Sequence, residues 1–127
     1  MSRTAKQRSN PHHQTLPPLR KMFADDPGAQ AAYRLFELCC SHAGGSTTAI
    51  ATFLIGLYNS QYASGGDPAW LCIWSDDATF DDVIATMRWI RQNSQYEIHH
   101  IFAGDGGDTM LELMRRFGLW PLAAQEG

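Results

Sequence analysis

Cys39, Cys40 and His42 are the side chains whose types come closest to those of a nucleophilic or metal-binding site. Cys39 and His42 are three residues apart, so on a helix they would share one face. A reactive thiol needs a helix N-terminus or a cationic neighbour to lower its pKa, whereas this stretch lies near the end of a predicted helix. We therefore interpret all three cysteines, Cys72 included, as small buried residues in a reducing compartment.

Glu97 and His100 have the Glu-x-x-His spacing that binds iron in some helical bundles. Such bundles supply one of these motifs from each of two helices, together with further glutamates. Apart from the C-terminal residues, Glu37 and Glu112 are the only other glutamates in this chain. A metal site would lack ligands, so we predict that the protein binds no metal ion.

The glycine-rich stretch 104–108 precedes a predicted helix, as a phosphate-binding loop does. It contains Asp105 and Asp108 in place of the lysine or arginine of such a loop, and these carboxylates would repel phosphate. It also lacks the alternating oxygen ligands of a calcium loop. We predict a turn there and no cofactor. Because no catalytic set is recognisable, we also predict that the protein is not an enzyme.

Acidic residues cluster around one predicted helix, which also carries aromatic and basic side chains. Trp89 is nine residues after Phe80, which places it opposite the predicted buried face at about 100° per residue. An exposed tryptophan between arginines is typical of a partner-binding anchor, although contact with a neighbouring helix is an equal alternative. The predicted partner-binding residues are Asp76, Asp77, Asp81, Asp82, Arg88, Trp89, Tyr96 and Glu97.

Opposite charges separate along the chain, although the formal net charge is only -3. Five basic residues precede the first acidic residue, Asp25, and all 13 acidic residues follow them. A division of this kind favours an electrostatic partner. If that partner is a nucleic acid, the basic N-terminal residues would bind its phosphates. Those residues are Arg3, Lys6, Arg8, Arg20 and Lys21.

The 127 residues predict one all-α domain, a compact bundle of about five helices. Residues 1–18 are polar and rich in proline, so we predict a flexible basic tail. The helical domain is predicted at 19–121, followed by a flexible C-terminus at 122–127. No apolar run reaches the roughly 20 residues of a membrane span, and no signal peptide is recognisable. We expect a cytoplasmic protein without membrane contact.

Capping residues and apolar stripes locate the predicted helices. The predicted N-caps are Asp26, Ser46 or Thr47, Thr79, Ser94 and Asp108. The helix that begins near Thr79 is predicted to bury Phe80, Val83, Ile84, Met87 and Ile90. Residues 69–74 are continuously apolar, so their pattern fits a short helix and a strand equally well.

Several short motifs connect this chain to a family. They are Phe53-Leu54-Ile55-Gly56-Leu57-Tyr58-Asn59, Asp76-Asp77, Phe80-Asp81-Asp82 and Glu97-Ile98-His99. In these motifs the chain resembles an uncharacterised family of small proteins from proteobacterial plasmids and integrative conjugative elements. The resemblance covers about residues 43–118, apart from a longer loop at 60–69 and differences at 89–92. It implies a shared fold and a mobile-element context, and it supplies no catalytic residues.

Three functions are open at this point. We predict a non-catalytic factor of a mobile genetic element that binds a host protein or nucleoprotein complex. Its most concrete form is an anti-CRISPR inhibitor whose acidic surface occupies a groove that normally holds nucleic acid. The alternatives are a nucleic-acid-binding accessory protein that uses the basic tail, and an uncharacterised enzyme whose site only the fold assembles. A homodimer also remains open.

Overall fold

The computed structural model describes residues 14–41, 45–59 and 67–119, and the fold of these segments is helical. The four α-helices are α1 (Pro27–Ser41), α2 (Gly45–Tyr58), α3 (Asp77–Gln92) and α4 (Gly106–Phe117). A π-helical turn (Trp70–Trp74) precedes α3, and 3-10 turns cover Lys21–Phe23 and Ile98–Ile101. The described segments contain no strand, only an isolated bridge between Leu19 and Phe102. The prediction of an all-α fold with about five helices is confirmed.

The start of α1 is held by Asp26, as its sequence predicts. One carboxylate oxygen of Asp26 accepts a hydrogen bond from the Gly28 backbone N–H at 3.0 Å, and Pro27 has the fixed φ angle of a first helical residue. The other oxygen accepts from the indole N–H of Trp89 at 2.8 Å. A Cβ atom on Gly28 would lie only 2.7 Å from Cβ of Trp89. Gly28 therefore allows α1 and α3 to approach each other closely.

The pairing of α1 with α3 is the most extensive helix contact in the described fold, and it corrects the predicted stripe of α3. The buried residues of α3 are Val83, Thr86 and Trp89. Thr86 tolerates burial because its hydroxyl donates to the Asp82 carbonyl at 2.7 Å. Met87, which was predicted to be buried, is 51 % exposed. The buried side of α3 is therefore rotated from the predicted one. The reason is that Thr86, whose hydroxyl bonds to its own helix, packs in the core as an apolar residue does.

Residues 14–20 form an N-terminal segment that packs on the helices. Gln14 is 7 % exposed, and its amide group donates to the Thr109 carbonyl at 3.1 Å. Leu16 and Leu19 pack against the core cluster. The predicted tail boundary at residue 18 is therefore wrong, since burial of these side chains makes the segment part of the domain. The rest of the predicted tail, residues 1–13, and the predicted C-terminal segment 122–127 lie outside the described residues.

Three helices begin earlier than their predicted N-caps. α2 begins at Gly45, before the predicted cap Ser46 or Thr47. For α3 and α4 the structure also shows which residue is the cap. α3 is capped by Asp76, whose carboxylate accepts from the Thr79 backbone N–H at 2.7 Å, so Thr79 supplies the donor instead. α4 is capped by Asp105, whose carboxylate accepts from the Gly107 N–H at 2.9 Å. The predicted cap Asp108 lies in the first turn of α4. In both cases an aspartate upstream of the predicted cap reaches the free N–H groups first.

The segment predicted as a helix from Ser94 is a 3-10 turn of four residues. The backbone of Glu97 is extended, with φ -100° and ψ 166°, so a helix cannot run through it. Ile98, Ile101 and Phe102 are nevertheless fully buried, as their spacing predicts. Residues 70–74, which the sequence left ambiguous, are helical.

Among the helices of the described segments, none combines the length and the hydropathy that crossing a lipid bilayer requires.

Candidate protein-binding surface

Trp89, the predicted partner-binding anchor, lies in the core. It is 2 % exposed, its ring packs edge-on against Phe23 at 5.2 Å between centroids, and its indole N–H is bound by Asp26. The helical wheel placed it opposite a single buried face, but α3 packs on α1 through a different face. The anchor prediction for Trp89 is wrong, and the alternative of a contact with a neighbouring helix is confirmed.

Tyr96 and Glu97 lie beyond the C-terminal end of α3, away from the aspartates. Tyr96 is half-buried, because its ring packs edge-on against Phe23 at 5.3 Å. The 16 residues of α3 correspond to about 24 Å of helix, which separates Glu97 from Asp76 at the other end. The predicted acidic strip therefore does not extend to Glu97. The structure separates the predicted binding residues into two groups.

The start of α3 brings the four predicted aspartates together. Asp76, Asp77 and Asp81 are exposed, and within the described segments neither Asp77 nor Asp81 has an ion-pair partner. The hydrogen bond from the Thr79 N–H holds the pKa of Asp76 below its usual value. Asp82 differs, because Arg34 of α1 binds both of its oxygens, at 2.8 and 3.0 Å. Asp77 and Asp81 are therefore free to contact a partner, and Asp76 is exposed beside them while it caps α3.

Arg88, the remaining predicted binding residue on α3, is exposed but lies two to three turns beyond the aspartates. It is close to the end of the helix at Gln92. Its neighbour Trp89 is buried, so Arg88 does not flank an exposed aromatic side chain. The structure therefore gives no reason to group Arg88 with the aspartates.

The π-helical turn before α3 contains exposed apolar residues that the sequence interpretation missed. Leu71 is buried, whereas Ile73 is 69 % exposed and Trp74 is 73 % exposed. The Ser75 hydroxyl donates to the Leu71 carbonyl at 2.5 Å, which closes the turn immediately before Asp76. A signal was present in the sequence: a single turn has only one inner side, so five consecutive apolar residues cannot all be buried there.

We call Ile73, Trp74, Asp76, Asp77 and Asp81 the docking surface. Its members are exposed, and they lie within nine residues of the chain, on the π-helical turn and the first turns of α3. Next to it, an open groove of about 480 Å³ runs between α1 and the start of α3. Arg34, Glu37 and Leu38 line the α1 side of this groove. The groove gives an incoming side chain a concave place beside the aspartates.

The cysteines do not form a reactive site. Burial raises the pKa of the Cys39 thiol to about 12 and that of Cys40 to about 11, so both thiols stay protonated at neutral pH. Cys72 is exposed, which corrects the prediction that all three cysteines are buried. His42 lies outside the described residues. In the described segments, no three histidine, cysteine, aspartate or glutamate side chains converge as metal ligands would.

Two basic residues of the alternative nucleic-acid site, Arg20 and Lys21, lie in the described segments. Arg20 is half-buried, and its guanidinium Nε donates to the Phe102 carbonyl at 3.1 Å. Lys21 is exposed on the first 3-10 turn. The structure therefore places one of these two side chains in an internal role. The other residues of this site, Arg3, Lys6 and Arg8, lie outside the described residues.

Comparison with known proteins identifies a family without a known activity. No curated protein and no solved structure matches the chain. The model of the Family of unknown function (DUF7673) matches residues 29–118, which extend from the first turn of α1 to the residue that ends α4. The matched range contains the whole docking surface. The chain therefore belongs to the Family of unknown function (DUF7673).

Proposed function

We propose that this domain is a non-catalytic factor that binds a basic protein surface through its docking surface. The observation that carries the proposal is the position of Trp74, 73 % exposed, within two to seven residues of three exposed aspartates. Protein interfaces are enriched in aromatic anchors such as tryptophan and are surrounded by a polar rim. The same surface offers no nucleophile paired with a base, so it favours binding over catalysis.

The apolar part of the surface supports affinity. Burial of the exposed Trp74 ring in a partner's pocket would contribute roughly 3 kcal/mol, given the 150–250 Å² that an aromatic side chain can bury. Ile73, which is 69 % exposed beside it, would add to this term. Exposed side chains of this size cost solubility, and a binding role explains why both occur on one turn.

The charged part of the surface supports selectivity for a cationic partner. The start of a helix favours negative charge, which accounts for Asp76 and Asp77. Asp81 lies beyond the first turn and is four residues from Asp77, where like charges repel each other by a few tenths of a kcal/mol. Neither Asp77 nor Asp81 is neutralised by another described residue. Lysine or arginine side chains of a partner would relieve this repulsion.

The same charges argue against two other occupants. A two-fold dimer formed through this surface would bring the aspartates of both copies together, which costs free energy. Nucleic acid would be repelled as well, since its phosphates carry the same sign. The nucleic-acid alternative therefore depends on Arg3, Lys6 and Arg8, with Lys21 as its exposed member among the described residues.

A sharper form of the proposal is an inhibitor encoded by a mobile element and acting in the cytoplasm. An acidic surface can occupy a groove whose lysines and arginines normally hold nucleic acid, as in a CRISPR complex. The expected target is then a nucleoprotein complex of the host. This form is tested by plasmid transformation into a host with active CRISPR immunity. Expression of the full chain should raise the efficiency, and an unchanged efficiency would contradict this form alone.

The general proposal is tested by affinity capture with the full chain and two variants. The docking variant combines Asp76→Asn, Asp77→Asn and Asp81→Asn with Trp74→Ser. Asparagine at position 76 retains the cap, so α3 should still form. The control variant makes the same change of charge and loses one exposed apolar side chain elsewhere. It combines Asp25→Asn, Asp108→Asn, Glu112→Gln and Met22→Ser.

Capture is measured by quantitative mass spectrometry of proteins recovered from host lysate after nuclease treatment. We expect the full chain and the control variant to recover the same protein in equal amounts. The docking variant should recover at least about tenfold less, since loss of a tryptophan anchor alone typically costs more than 1 kcal/mol and up to several. Equal recovery by all three proteins would contradict the proposal. Recovery that survives the four docking substitutions but disappears when residues 1–13 are deleted would favour the basic-tail alternative.

A further inference from the structure

The second 3-10 turn, Ile98–Ile101, places two histidines in direct contact. Ile98 and Ile101 are fully buried, and between them the rings of His99 and His100 lie 4.2 Å apart, centroid to centroid, with an angle of 36°. Two imidazolium ions at this separation would repel each other strongly. The arrangement is therefore favourable only while at least one ring is neutral.

A hydrogen bond at the start of the turn also requires a neutral ring. The backbone N–H of Glu97 donates to Nδ1 of His100 at 2.8 Å, so Nδ1 must carry a free electron pair. Protonation of that nitrogen would place two N–H groups face to face. Nδ1 of His99 is buried without a hydrogen-bond partner in the described segments. It lies 3.8 Å from a carboxylate oxygen of Glu97, which is too far for a hydrogen bond.

The groups around His99 come from four parts of the fold. Glu97 precedes it, Asp105 lies at the start of α4, Arg20 comes from the N-terminal segment, and the Tyr58 ring of α2 contacts it edge-on at 5.0 Å between centroids. The two carboxylates favour a charged His99. Burial, followed by the neighbouring His100, outweighs them and lowers the pKa of His99 below its usual value.

This turn also holds the N-terminal segment. The Arg20 N–H donates to the Ile101 carbonyl at 2.8 Å, and the Ala103 N–H donates to the Pro18 carbonyl at 2.8 Å. Arg20 also binds the Phe102 carbonyl through its side chain. These bonds tie residues 18–20 to the chain immediately after the two histidines. A rearrangement of the turn would therefore loosen residues 18–20.

We propose that His99 and His100 form an acid-sensitive clasp, which holds residues 18–20 of the N-terminal segment at neutral pH and releases them on acidification. The proposal goes beyond the docking surface and does not depend on it. The lowered pKa of His99 also predicts that acid destabilises the closed turn. The stability that His99 contributes is fully present above the ordinary histidine pKa of about 6.5 and is lost as the pH falls below it.

The test is amide hydrogen exchange of the full chain by NMR at pH 7.5 and pH 5.5, corrected for intrinsic exchange rates. The protection of the Arg20 and Ala103 amides should fall at pH 5.5. The requirement for a neutral His99 in the closed turn contributes up to about tenfold, the ratio set by an open-state pKa of about 6.5. The Phe80 amide, which donates to the Asp76 carbonyl at the opposite end of α3, is the internal control. It should keep its protection.

A double variant separates the clasp from general acid unfolding. His100→Gln retains an acceptor for the Glu97 N–H, as glutamine does in a capping box, and cannot titrate. His99→Phe keeps an aromatic ring against Tyr58. In this variant the protection of Arg20 and Ala103 should be the same at both pH values. The proposal is overturned if the wild-type amides keep their protection at pH 5.5, or if the double variant loses it equally.

Titration of the wild-type histidine ring signals gives a second readout that does not depend on the variant folding. The clasp predicts that the His99 and His100 signals change over the same pH range in which the Arg20 and Ala103 amides lose protection. Ring signals that titrate with no change in these two amides would contradict it.

Discussion

Trp74 and Trp89 are fifteen residues apart, before and near the end of α3, and they lie in opposite environments. Trp89 is 2 % exposed and fixed by Asp26, whereas Trp74 is 73 % exposed beside three aspartates. The first belongs to the packed interface of α1 and α3, and the second belongs to the docking surface. The comparison teaches that the position of a tryptophan in a helical pattern does not show whether its side chain is buried or exposed. The role depends on which neighbouring helix covers that side.

Truncation of the two tryptophans should give the largest contrast. Trp89→Ala should lower the free energy of unfolding by about 3–5 kcal/mol, because it leaves a cavity between α1 and α3 and removes the donor to one oxygen of Asp26. Trp74→Ala should change it by less than about 0.5 kcal/mol. Urea unfolding followed by circular dichroism measures both values. Similar losses for the two variants would remove the distinction between the regions.

Gly28 offers a sharper test of the packed interface. Gly28→Ala should destabilise the protein by about 1–3 kcal/mol, because the new Cβ would lie 2.7 Å from Cβ and 2.8 Å from Cδ1 of Trp89. The same urea titration measures this loss. Two of the three close contacts are with atoms of the indole ring, Cδ1 and Cγ of Trp89. The cost should therefore shrink when Gly28→Ala is combined with Trp89→Ala, which removes the ring and lets α3 shift away from α1. Costs that simply add would show that Gly28 does not act through Trp89.

The cap of α3 connects the docking surface with the fold. Asp76→Ala should cost about 1 kcal/mol, because it removes the acceptor of the Thr79 N–H, whereas Asp76→Asn should cost much less. The two variants are compared by thermal unfolding at neutral pH. If Asp76→Asn destabilises α3 as much as alanine does, charge rather than capping is its structural role, and the docking variant would need a different residue.

The thiols distinguish the regions without changing stability. Burial raises the pKa values of Cys39 and Cys40 to about 12 and 11, and Cys72 is exposed next to Ile73. Iodoacetamide at pH 8 should therefore label Cys72 in the folded protein and leave the other two unmodified. Peptide mass spectrometry counts the labels, with urea-unfolded protein as the control in which all three react. Native labelling of Cys39 would contradict the packing of α1.

Much of the fold could be predicted from the sequence because its signals are local. The cap of α1 at Asp26, followed by Pro27, depends only on neighbouring residues, and this prediction is confirmed. The buried side of α3 could not be predicted in the same way. It depends on a threonine that bonds to its own helix and on a glycine in another helix.

Only the charged residues of the docking surface could be predicted from the sequence. Asp76, Asp77 and Asp81 stand out in the sequence as charges, and the structure brings them together. The apolar half was assigned to Trp89 because the helical wheel allows only one buried face. Trp74 lies in a π-helical turn whose five residues are all apolar. The sequence therefore shows no alternation of apolar and polar residues that would identify the exposed side of the turn. Glu97 and Tyr96 were grouped with the aspartates although the length of α3 separates them.

The account depends most on the docking surface, and one ratio tests it directly. The amount of protein captured from host lysate by the docking variant is divided by the amount captured by the control variant, at the same salt concentration. We predict a ratio below about one tenth, since only the docking variant loses a tryptophan anchor. A ratio near one, with both variants folded as judged by circular dichroism, would contradict the claim that this surface binds the partner.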